Sequence, residues 1–151
     1  MSGGTAAVGR PMEILLVEDG LVDARLAIGA LQRGGFRHRL TLVRDGEEAL
    51  EFIHRRGKFA VAPRPDLILL DLMLPKKSGL EVLGDVKSDD ALKTIPVVIM
   101  TASEAAEDRS QCDSLNVDGY ITKPVNMENF LALVRKLKQF WLNDVILPEF
   151  N

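Results

Sequence analysis

The chain has 151 residues, 46% of them hydrophobic and 27% charged, with a formal net charge of -3. This balance predicts one domain with a real core and excludes a broad basic surface for nucleic acid or an anionic membrane. The single cysteine, Cys112, excludes an internal disulfide framework and points to a reducing cytoplasm, and no apolar run reaches the roughly 18 to 20 residues of a membrane span.

Residues 1–11 are small and Gly-rich, without a basic-then-apolar signal pattern, and read as a flexible tail. Met12 to Val17 is apolar apart from Glu13 and predicts a strand that ends in Glu18-Asp19-Gly20. Leu21, Leu26, Ala30 and Leu31, with Val22 and Ile28 nearby, repeat at near-helical spacing, and Gly34-Gly35 closes that helix. Leu40, Leu42 and Val43 predict a shorter second strand. Asp45-Gly46 then turns the chain into a helix carrying Ala49, Leu50, Phe52 and Ile53. Lys58 to Pro65 contains two prolines and no clear periodicity, as in a surface loop.

Leu67 to Leu70 has no polar alternation and predicts a strand buried on both faces, as in a parallel sheet. It runs straight into Asp71. An unpaired buried carboxylate is costly, so Asp71 is placed where the strand leaves the sheet, at the edge that open α/β folds use for ligands. Pro75 fixes the following loop, and Gly79 permits a close start to the next helix. A plainer role for Asp71 is capping that helix. Leu80, Val82, Leu83 and Val86 mark the helix itself, which fades at Ser88-Asp89-Asp90.

Pro96 to Met100 is a fourth apolar strand, ending in Thr101-Ala102-Ser103. Glu104 to Leu115 has helix formers but a weak apolar face, predicting a loosely anchored helix. Asp118 to Thr122 is a fifth strand, followed by Lys123-Pro124. A last helix starts near Asn126 with Phe130, Val134, Leu137 and Trp141 on one stripe. Five strands alternating with five helices predict a parallel sheet covered on both faces, a three-layer αβα architecture.

In a parallel sheet the strand carboxyl ends share one edge, so Glu18-Asp19, Asp71, Thr101 and Lys123 should meet. Carboxylates crowded together repel one another unless a cation intervenes, and hard oxygen ligands suit Mg2+ or Mn2+. Thr101 adds a hydroxyl and Lys123 a compact positive charge, a pair suited to holding phosphoryl oxygens. Together these groups describe phosphoryl transfer onto an aspartate. Each has a plainer explanation: an acidic pair as a helix cap, a β-branched strand residue, a solvated lysine. Their placement at four strand ends is what singles them out.

Val17-Glu18-Asp19, Leu70-Asp71 with Pro75 and Gly79, Thr101-Ala102, and Tyr120-Ile121-Thr122-Lys123-Pro124 resemble the receiver domain of two-component response regulators. The resemblance spans residues 12–142. It implies the flavodoxin-like doubly wound fold with strand order 2-1-3-4-5. It further implies that Asp71 is the phosphoacceptor for a histidine kinase and that Lys123 contacts the phosphoryl group. Glu18, Asp19, Asp71 and the Met73 backbone carbonyl would hold the metal. Thr101 and Tyr120 would form a switch pair, and the Lys123-Pro124 bond would be cis.

The long loop from Arg56 to Asp66 and the ending Gln139-Phe140-Trp141-Leu142 resemble stand-alone regulators paired with phytochrome histidine kinases. The expected function is therefore a phosphoacceptor switch rather than a metabolic enzyme. Its output would be a protein contact, since only nine residues follow Leu142. Apolar residues Phe140, Trp141, Leu142, Val145, Ile146, Leu147 and Phe150 predict a homodimer through the last helix and the extension 143–151. Two rival readings stand beside this one. A haloacid-dehalogenase-type phosphatase needs an acidic residue two positions after its nucleophile, where this chain has Met73. A degenerate receiver would bind partners without phosphorylation, but the acidic pair, Asp71, Thr101 and Lys123 are all intact. Neither GxxxxGK[ST] nor GxGxxG appears, which argues against a nucleotide-binding module.

Overall fold

The structure is a computed structural model, and it describes residues 9–137. Five strands, β1 (Met12–Val17), β2 (His38–Val43), β3 (Leu67–Asp71), β4 (Val97–Thr101) and β5 (Gly119–Thr122), form one sheet in the order β2-β1-β3-β4-β5. Every neighbouring pair is parallel. The connections are helices α1 (Leu21–Arg33), α2 (Gly46–Ile53), α3 (Gly79–Ser88) and α4 (Ala106–Ser114), and α5 (Met127–Leu137) follows β5. This is the flavodoxin-like doubly wound architecture that the alternation of apolar segments predicts.

The sheet is buried on both sides because successive side chains of a strand point to opposite faces. Leu67 and Leu69 pack with Leu16, Ala27, Phe130 and Val134 on the side of α1 and α5. Ile68 and Leu70 pack with Leu15, Phe52, Val82 and Leu83 on the side of α2 and α3. The unbroken apolar run of β3 therefore serves two half-cores, each stabilised by about 25 cal/mol for every Å² of apolar surface removed from water.

Three local expectations change. In α1 the buried residues are Ala24, Ala27, Ala30 and Leu31, while Leu21, Val22 and Leu26 are exposed. The alanine stripe lets the helix backbone lie close to the sheet, and the larger residues face out. The loop before β3 contains a short 3-10 turn, Gly57–Phe59, whose Phe59 ring packs edge-on to Phe52 at 5.1 Å. α4 begins two residues later than read, with Ala105 as an uncapped start, and buries only Cys112. Its weak anchoring is as expected.

Asp71 does not cap the next helix. Ser78 does so, in a reciprocal pair with Glu81. Asp45 caps α2 by accepting from the Glu48 N–H at 2.7 Å. Gly79 starts α3 against β3: a Cβ there would collide with the Asp71 carbonyl oxygen and stand 2.6 Å from Leu72 Cα. No helix among the described residues is long and apolar enough to cross a membrane.

Candidate functional site: a lysine among carboxylates at the strand ends

The strand ends do converge. Asp71 closes β3 and is almost fully buried, as are Glu18 just after β1 and Thr101 at the end of β4. Lys123 follows β5, and its amide donates to the Thr101 carbonyl at 2.8 Å, which ties the two strand exits together. Its Nζ donates to Asp71 Oδ2 at 3.0 Å and to Asp23 Oδ2 at 3.2 Å, and it forms an ion pair with Glu18 Oε1. The Lys123-Pro124 bond is cis, as the resemblance implies.

The carboxylates are held from the backbone as well. Asp71 Oδ1 accepts from the Met73 N–H at 3.1 Å, and Glu18 Oε2 accepts from the Gly20 N–H at 2.9 Å. Among the described residues Glu18 Oε1 is buried and accepts no hydrogen bond of good geometry, and its close neighbour of opposite charge is the Lys123 ammonium. Burial is the largest influence on Glu18 and raises its carboxyl above the ordinary range, against the opposing pull of Lys123. Burial also works against the Lys123 charge. There the close contacts and negative charge of Glu18 and Asp71 prevail, and the ammonium is held well above its usual range.

The other expected residues make contacts of their own. Asp19 is exposed, and its carbonyl oxygen accepts from Arg44 Nε at 3.2 Å. Met73, two residues after Asp71, is 77% exposed. Thr101 Oγ1 accepts from the Ser103 N–H at 3.1 Å, and Tyr120 Oη donates to the Ser103 carbonyl at 3.1 Å. Both hydroxyls thus attach to one backbone residue. The Tyr120 ring is half-buried, with the Arg109 guanidinium 4.5 Å from its centroid.

Three participants have no functional role legible in the sequence: Asp23, Ser103 and Arg109. Asp23 lies in the first turn of α1, where an acidic residue is already explained by the helix dipole. Ser103 acts through its backbone, which carries no residue-specific signal. Arg109 is one of several charges on a polar helix.

The expected cage of three acids around a cation takes a different form. Among the described residues no group of three acidic, histidine or cysteine side chains is close enough to hold a metal ion. Lys123 occupies the centre instead. Even so, the donors are hard oxygens, Glu18 Oε1 is buried without a hydrogen bond of good geometry, and Asp19, the next residue along the chain, is exposed. That chemistry fits a divalent cation.

Comparison with known proteins bears on the family and the fold. The response regulator receiver domain matches residues 14–135. The response regulator Rcp1 of Synechocystis sp. is 43% identical over 138 residues, covering 91% of this chain and 94% of the relative. The solved Mn2+-bound form of Rcp1 superposes with a TM-score of 0.75 at 42% identity, covering 92% of this chain and 100% of that one. The phosphorylated cyanobacterial phytochrome response regulator RcpA also gives a TM-score of 0.75, at 44% identity over 93% of this chain and 100% of that one. By fold, by strand-end chemistry and by these matches, the chain belongs to the response regulator receiver domain family.

Proposed function

We propose that this receiver accepts a phosphoryl group on Asp71 from a phosphohistidine of a phytochrome-type histidine kinase and signals through the resulting change in protein contacts. The observation that carries this reading is the Lys123 ammonium, 3.0 Å from Asp71 Oδ2 at the carboxyl edge of the sheet. A carboxylate oxygen of Asp71 attacks phosphorus in line. The bond from phosphorus to the imidazole nitrogen breaks, and its electron pair stays on the histidine. Lys123 then turns a donor from the carboxylates to the phosphoryl oxygens. Support for the kinase class comes from the phytochrome regulator RcpA and a bacteriophytochrome response regulator, RtBRR, 41% identical to this chain.

Glu18, Asp19, Asp71 and the Met73 carbonyl would hold Mg2+, or Mn2+ as named for Rcp1. The cation, when bound, supplies charge neutralisation for the transferring phosphoryl group. Thr101 and Tyr120 form the switch. Among the described residues Thr101 Oγ1 accepts from the Ser103 N–H, and its own proton can turn toward phosphoryl oxygens. Movement of Thr101 would disturb Ser103, and with it the bond from Tyr120. Met73 offers no polar group to position water beside the acyl phosphate, which bears on its lifetime. The receiver unit is 12–142, acting in the cytoplasm as a switch. The tail 1–11 and the extension 143–151 lie wholly or largely outside the described residues, and the extension with the last helix is the proposed homodimer contact.

The test is exposure of the parent and Asp71→Asn to a small phosphodonor with Mg2+, read by intact mass. The parent gains one phosphoryl group and the variant none. Unchanged labelling of the variant would move the acceptor elsewhere.

A further inference from the structure

The structure assigns a role to Asp23 that its place in a helix conceals. We propose that Asp23 is a positioning residue for Lys123: it takes one ammonium donor while Asp71 is unmodified and gives it up when phosphoryl oxygens arrive. This inference rests on the reading of Asp71 as the phosphoacceptor.

An ammonium has three N–H donors, and three carboxylates surround this one. Asp71, Asp23 and Glu18 come from the end of β3, the first turn of α1 and the exit of β1. They differ in access to water. The Glu18 side chain is 2% exposed and that of Asp71 8%, whereas that of Asp23 is 42% exposed. Releasing a carboxylate costs little only where water can replace the lost bond. Asp23 is therefore the partner Lys123 exchanges most cheaply. Gly20 lies between the acids: a Cβ built there would be 3.5 Å from both Asp23 Oδ2 and Glu18 Oε2. The two carboxylates thus reach the lysine past a position with no side chain of its own.

Asp23 also adds negative charge at the rim of the pocket. It should oppose an entering anion and favour an entering cation. Removing that charge therefore moves the two affinities in opposite directions, which loss of a merely structural contact would not do. The plainer explanation, an acidic residue complementing the α1 dipole, predicts a small change in stability and no change in either affinity.

The experiment uses the full chain as parent, Asp23→Asn, Asp23→Ser, Asp23→Glu and Asp71→Asn, with folding checked by thermal unfolding. Mn2+ binding is read from the electron paramagnetic resonance signal of free ion, and trifluoroberyllate binding by fluorine NMR at saturating metal. Asp23→Asn and Asp23→Ser should each bind Mn2+ about threefold to tenfold more weakly and trifluoroberyllate more tightly by a similar factor, as expected for one charge at this range in a partly wet site. Asp23→Glu should return both toward the parent. Unchanged affinities in the neutral variants, or weakening of both together, would overturn the role of Asp23. Trifluoroberyllate binding by Asp71→Asn at the parent's affinity would instead overturn the acceptor reading, whatever Asp23 does.

Discussion

Lys123 makes a nearly dry pocket tolerable for Glu18 and Asp71. Take the ammonium away and Glu18 keeps its burial but loses its ion-pair partner. Removing one member of a buried charge pair costs about 3 to 5 kcal/mol, so Lys123→Met should lower stability by roughly 3 kcal/mol at neutral pH, measured by urea unfolding. The pH dependence has a definite sign. Burial already raises the Glu18 carboxyl above its ordinary value of 4.5, and the variant should raise it further. A folded-state value above the unfolded one means that the folded chain binds the proton more tightly, so stability falls as pH rises through that window. The deficit of Lys123→Met should therefore shrink as the pH is lowered toward 4.5. A deficit that is flat with pH would mean that Glu18 is not the strained partner. Asp71→Asn belongs to this scale too, because it asks whether a single carboxylate is the acceptor.

The helices show how elements are set against the sheet. α3 starts hard against β3, and only glycine fits at its first residue. Gly79→Ala should cost about 2 kcal/mol, typical of overpacking against backbone that cannot give way. Gly84 in the same helix has open space where its Cβ would be. Gly84→Ala should stabilise by about 0.5 to 1 kcal/mol, the usual gain from removing a helical glycine. Denaturant midpoints for the two variants should move in opposite directions. α1 follows a different rule, because its alanines are small enough for the helix to sit close, and bulk is sent outward. Helical periodicity reveals that a stripe exists, but α1 carries two candidate stripes. Size complementarity with the sheet chooses between them, and that is a property of the neighbours. α4 shows the opposite case: with Cys112 as its one buried residue, weak anchoring was legible directly from composition. Burial raises the Cys112 thiol, consistent with an inert core group rather than a reactive one.

At the level of the whole molecule, the parallel sheet gathers chemistry from distant parts of the chain. Lys123 and Asp71 are 52 positions apart in sequence, and Lys123 and Asp23 are 100 apart. Crossover connections place every strand exit on the same edge, so the site is a consequence of topology. The proposed dimer is tested at this scale. Truncation after Gln139 removes Phe140, Trp141 and Leu142 together with the extension. The expected outcome is a shift from dimer to monomer by light scattering. An unchanged dimer after truncation would place the contact elsewhere.

The sequence by itself determined the fold class, the strand order through its resemblance, and the meeting of Glu18, Asp71, Thr101 and Lys123. It could do so because apolar runs that end in polar groups carry both burial and location. Tertiary structure alone decided that Lys123 stands between the carboxylates, that Asp23 joins them, and that Thr101 and Tyr120 share Ser103 as a backbone partner. Those facts depend on distances between side chains and on which groups water can reach, quantities that a linear pattern of residue types does not contain.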